Sequence, residues 1–235
     1  MQKINRSTSI SESSFWKYLS RVMLALLLGN VAFGCALSFS CRAFLPTLSF
    51  LGSFRDHDRI FMLALTLYAV FLPVLCFSVY LKTGNTMSWV SKASFLFLGL
   101  VSSPLLILVG FIDQVNGLYF FLIEYRHYEI SLILFVSLTL WVYLALDVLE
   151  KVTKDETERS KLNICWKIYR FELFMGFLTM FEWHFAYTIY SNVLVNEVVE
   201  ALVEWVFIGT AVVYPYYLAK VNEFSVTLRW PSTKI

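Results

Sequence analysis

Six apolar runs, each close to the length a helix needs to cross a bilayer, dominate the chain and limit what it can fold into. They cover residues 22–40, 60–81, 93–112, 130–149, 171–190 and 198–219. A helix rising 1.5 Å per residue needs about 20 residues to cross ~30 Å of hydrocarbon. The runs are continuous and lack the two-residue alternation of a barrel strand, so helices are the expected spanning element. Composition agrees. Only 15% of residues are charged and 58% are hydrophobic, with mean hydropathy +0.66. Soluble domains carry about 25% charged residues. The expected fold is all-α: one polytopic transmembrane bundle of six helices occupying residues 1–235.

Orientation follows from Lys and Arg, which favour the cytosolic side. The N-terminal flank, the second and fourth connections and the tail together hold 15 of the 19 basic residues. The other four are Arg42, Arg55, Arg59 and Arg126. Both termini are therefore expected in the cytosol. The first run is longer than the apolar core of a signal peptide, and the alternation of charge works with it retained. The sequon Asn5-Arg6-Ser7 then faces the wrong side for glycosylation. The fourth connection, Glu150–Lys161, mixes signs and reads as a solvated helix extension.

Net charge is +2, which gives nucleic acid no footprint. Cys35, Cys41, Cys76 and Cys165 show neither CxxC spacing nor alternation with His. They read as small buried apolar residues, with no metal and no cofactor expected. No Gly-rich phosphate loop, nucleophile elbow or HExxH is present in the sequence, and no catalytic residue is nominated.

Ionisable groups inside a span are costly and need a reason. The last two runs hold His184, Glu200 and Glu204. A tight turn is expected around Asn192–Asn196. If it centres on Leu194, His184 and Glu204 stand at equal depth, and Glu200 shares a helix face with Glu204. Two readings remain open. The three form a polar site that binds a lipid headgroup or moves a proton, or they form a hydrogen-bonded clamp between the helices. A second cluster, Arg55-Asp56-His57-Asp58-Arg59, precedes the second run. It either meets lipid phosphates or is an interfacial charge cluster at the helix end. Pro73, Pro104 and Pro215 lie within spans and are expected to kink them.

Two stretches resemble the FRAG/DRAM/SFK membrane-protein family. One is Leu45-Pro46-Thr47-Leu48-Ser49-Phe50-Leu51-Gly52, followed by Arg59-Ile60-Phe61 at the start of the second run. The other is Glu204-Trp205, then Gly209, then Phe224-Ser225-Val226-Thr227-Leu228-Arg229. Glu-Trp, rather than Glu-Tyr, is similar to the damage-regulated autophagy modulator (DRAM) branch. That resemblance implies a non-enzymatic regulator of autophagy in lysosomal or other endomembranes. It singles out Glu204 and Trp205, with membrane lipids and other membrane proteins as partners. The alternative, carried by relatives in the same family, is a lipid-handling factor in GPI-anchor remodelling in the Golgi or endoplasmic reticulum.

Overall fold

The structure, a computed structural model, describes residues 7–37, 58–112, 118–120, 123–125, 127–189, 193–222 and 225–229. Six long helices make up the fold: α1 (Glu12–Leu37), α2 (Asp58–Thr83), α3 (Trp89–Phe111), α4 (His127–Val152), α5 (Glu156–Ile189) and α6 (Val193–Asn222). Each helix packs on the next in sequence, and α6 closes the ring against α1. Helix α2 also touches α4 and α6, so it contacts every other helix except α5 in a substantial way.

Among the described residues, four helical stretches are long and apolar enough to cross a membrane: Met62–Thr86, Trp89–Phe111, Glu129–Val152 and Ala201–Val221. The chain is a multi-pass membrane protein by this criterion. The helices behind the expected spans 22–40 and 171–190 are also present, at 26 and 34 residues. Part of their apolar stretch falls on side chains outside the described residues.

Helix α2 shows why the bilayer is the solvent. Leu65, Ala69, Leu72, Cys76 and Val79 recur at helical spacing and are buried. Leu63, Val70, Val74, Phe77 and Leu81 form the opposite face and are exposed. Both faces are apolar, so burial here is not sorted by polarity as it is on an amphipathic soluble helix. In water the outer face would forfeit about 25 cal/mol for each Å² left uncovered. Against lipid tails it costs nothing.

Three of the connections are short. Between α2 and α3 lies a 3-10 turn, Gly84–Thr86. Ser88 then caps α3 by accepting from the Ser91 amide at 3.2 Å. The charged connection expected to be a helix extension is one on both sides. It is interrupted at Thr153–Asp155, where Asp155 accepts from the Glu158 amide and starts α5. Between α5 and α6 only residues 190–192 intervene, and α6 begins at Val193. Leu194, expected at the centre of the tight turn Asn192–Asn196, is already helical.

Two small sheets complete the described residues. Strands β2 (Leu118–Phe120) and β3 (Ile123–Tyr125) form a hairpin between α3 and α4. Strand β1 (Ser7–Ser11) pairs antiparallel with β4 (Ser225–Arg229), with Ser7 opposite Arg229 and Ser11 opposite Ser225. The first and last described strands thus meet at one end of the bundle.

Candidate functional site

The polar groups inside the bundle gather where prolines break helices. A proline has no N–H, so the carbonyl four residues earlier loses its helical donor. In hydrocarbon no water replaces it, and a neighbouring helix must. Pro215 in α6 removes the donor for Ala211. The Tyr68 hydroxyl of α2 donates to that carbonyl at 3.0 Å. Ser20 of α1 donates to the adjacent Val212 carbonyl at 2.9 Å. Pro73 in α2 does the same to Ala69, and the Ser103 hydroxyl of α3 donates there at 2.7 Å. Ser102 and Ser137 join α3 to α4 through a hydroxyl pair 2.9 Å apart.

Around Pro215 a carboxyl joins this set. Glu172 of α5 is buried and hydrogen-bonded to the Thr210 side chain of α6. The Thr210 hydroxyl also lies 2.6 Å from the Val206 carbonyl. It has one proton and serves one acceptor at a time. A protonated Glu172 would donate to Thr210 and leave that proton on Val206, whereas an ionised one competes for it. The second carboxyl oxygen of Glu172, the Tyr214 hydroxyl and the Trp16 indole N–H are buried with no hydrogen-bond partner. Tyr214 lies within electrostatic reach of Glu172, Tyr68, Cys165 and Tyr169. Trp16 meets the Tyr68 ring edge-on, with centroids 6.2 Å apart. The interior of the bundle therefore holds one carboxyl, two phenols and an indole drawn from four helices, three of them with hydrogen-bonding capacity left to offer.

Among the residues singled out by sequence, Glu204 lies in α6 with its side chain buried and engaged with neighbours. Trp205 is half-buried against the apolar cluster that contains Met23, Leu27 and Val212. His184 lies on α5 and Glu200 on α6, with side chains outside the described residues. In the second cluster Arg55, Asp56 and His57 lie outside the described residues. Asp58 and Arg59 form the first turn of α2, with side chains outside that set. Cys76 and Cys165 are free and buried.

Glu172 was missed by sequence reasoning because it stands second in the span 171–190, where an interfacial carboxyl needs no explanation. The helix begins at Glu156, which places Glu172 about 24 Å along it. Tyr68 and Tyr214 carry a readable signal: a hydroxyl-bearing residue deep in an apolar run of a chain that also has proline-broken helices. Among the described residues no three His, Cys, Asp or Glu side chains converge as a metal site. The chain matches no family model, no curated protein and no solved structure.

Proposed function

We propose that this multi-pass membrane protein is a non-enzymatic regulator of endolysosomal membranes in autophagy, of the DRAM type. The observation that carries the proposal is the Glu204-Trp205 pair. These are the two helix-six residues of the resemblance, and Glu204 is buried inside the bundle while Trp205 packs on its core. The tail of the resemblance, Ser225–Arg229, forms the strand that ties the chain's two ends together. Glu204-Trp205 and Ser225–Arg229 thus have defined places in the fold, whereas Leu45–Gly52 lies outside the described residues. The use of Tyr68, Ser20 and Ser103 to satisfy helix carbonyls suits a bundle that acts through its surfaces.

A tagged full-length chain should appear in endolysosomal membranes, and its loss should lower autophagic flux. Unchanged flux with no endolysosomal signal would defeat the proposal. The second reading, a lipid-handling factor in GPI-anchor remodelling with His184, Glu200 and Glu204 about a headgroup, draws on the burial of the Glu204 carboxyl in a helix long enough to span. It predicts altered anchor lipids on surface proteins of a knockout. Normal anchors would remove it.

A further inference from the structure

Away from the Pro215 groups, a cleft of about 270 Å³ opens at the end of the bundle where the two termini meet. It lies between the start of α3 and the last turns of α4. Its lining is mixed: residues such as Phe95, Leu144 and Val148 are apolar, and Ser88, Ser91, Asp147 and Lys151 are polar or charged. We infer that this cleft receives the headgroup of an ethanolamine phospholipid from the leaflet that meets this end of the bundle.

Position comes first. Trp89, 80% exposed, stands at the start of α3 directly beside the cleft. One turn before Asp147 on α4, Tyr143 packs edge-on against Trp166 at 5.9 Å, and the Trp166 indole donates to Glu150 at 3.2 Å. Trp and Tyr in contact with charged side chains at helix ends mark the headgroup level of a bilayer. A polar cleft at that level is bathed in phospholipid headgroups whenever the protein is in a membrane.

Chemistry selects among them. Asp147 and Lys151 face one another one helical turn apart, as an ion pair exposed to solvent. Such an exposed pair contributes little to stability, so it opens readily to a ligand carrying both charges. The Lys151 ammonium and a serine hydroxyl suit a phosphate. Ser88 accepts from the Ser91 amide, and the two hydroxyls share one bond, which leaves one hydroxyl proton to donate. The Asp147 carboxylate suits a primary ammonium, which brings three N–H donors. Choline has none to offer, glycerol has no cation, and serine adds a second carboxylate beside Asp147. The pair is neutral overall and so favours a zwitterion over an anionic lipid. By the volume of liquid water, the cleft has room for about nine non-hydrogen atoms, and a phosphoethanolamine fits within that.

The purified full-length chain in maltoside micelles, given equal amounts of dioleoyl phosphatidylethanolamine, phosphatidylglycerol and phosphatidylcholine, tests this by native mass spectrometry. The ethanolamine lipid should be retained about two- to fivefold over each of the others, within the range expected of one exposed charge contact. Asp147→Asn should erase that preference while total lipid retention persists. Lys151→Gln should reduce all three lipids alike. Ser91→Phe, which fills the cleft, should remove the preference with both charges in place. Asp147 and Lys151 are surface residues, so both variants fold. No preference in the unaltered chain overturns the inference, as does a preference that survives Asp147→Asn or Ser91→Phe. Free phosphoethanolamine competing as well as the lipid overturns the assignment to a bilayer ligand.

Discussion

Replacing Tyr68 with Phe deletes a single oxygen and should expose the cost of the proline in α6. The hydroxyl donates at 3.0 Å to the Ala211 carbonyl, which has no helical donor because Pro215 lacks an N–H. Side-chain hydrogen bonds between membrane helices average about 0.6 kcal/mol and reach about 1.7. Leaving a buried acceptor bare costs about 1–3 kcal/mol. Ala211 has no alternative donor, so the loss belongs near the upper end of the first range, about 1.5 kcal/mol or roughly a tenfold shift in the unfolding constant. The check is a double-mutant cycle. Pro215→Ala returns an N–H to α6 and gives Ala211 its own partner. In that background Tyr68→Phe should cost only about 0.5 kcal/mol, which makes the coupling about 1 kcal/mol. Equilibrium unfolding of the full-length chain by SDS in mixed micelles measures all four corners. Equal costs of Tyr68→Phe in the two backgrounds would refute the pairing of phenol and proline.

Other positions make independent demands. A Cβ on Gly176 would come within 2.1 Å of the Phe135 ring, so Gly176→Ala should destabilise the α4–α5 contact by about 1–3 kcal/mol, with partial recovery when Phe135→Leu is added. Nothing lies within 4 Å of a Cβ on Gly209, so Gly209→Ala should leave stability unchanged or raise it by up to about 1 kcal/mol in the same unfolding assay. Cys165 lies on the first turns of α5, ahead of the expected span, and burial pushes its thiol up to about 12. With the other three cysteines replaced by Ala, maleimide labelling at pH 8 should be at least about a hundredfold slower folded than in SDS, because the thiolate is the reacting form. Glu204→Gln keeps hydrogen-bonding capacity and removes the charge. Normal folding with lost autophagic function would assign the carboxylate a working role, and normal function would leave it a clamp.

What the sequence reveals and what it hides divides along a physical line. Apolar length is a local property, so all six runs coincide with helices. Helix ends beyond the apolar run are not visible in this way. Glu156–Arg170 carries too many charges to be counted as span, yet it continues α5, and the span boundary at 171 therefore disguised the depth of Glu172. The strand pair joining Ser7–Ser11 to Ser225–Arg229 draws its hydrogen bonds from opposite ends of the chain. Ser-Thr-Ser-Ile-Ser has no apolar alternation to announce it. The candidate residues were sought near the α5–α6 turn, where several ionisable groups lie close in sequence. Trp16, Glu172 and Tyr214, buried with unmet hydrogen-bonding capacity, are instead contributed by three helices, one apiece, and no local pattern marks them.

The donors themselves tie helix register to side-chain chemistry. Ser103 must stand level with Ala69, and Tyr68 level with Ala211, or a carbonyl is left bare in a medium without water. Tyr68 and Ala69 are adjacent in α2, so one turn of that helix fixes the depth of α3 through an acceptor and of α6 through a donor. At the end of the bundle the Lys82 ammonium of α2 donates to the Val221 carbonyl at 2.9 Å and lies 3.9 Å from Glu158 of α5. Sliding α6 against α2 by one turn, 5.4 Å, would break the contacts at Ala211 and at Val221 together. Lys82→Met should therefore weaken the α2–α6 register at its end while leaving Tyr68 in place. A cysteine pair bridging the two helices should then cross-link with less positional selectivity at Val221 than at Ala211. Equal selectivity at both positions would mean that apolar packing alone sets the register.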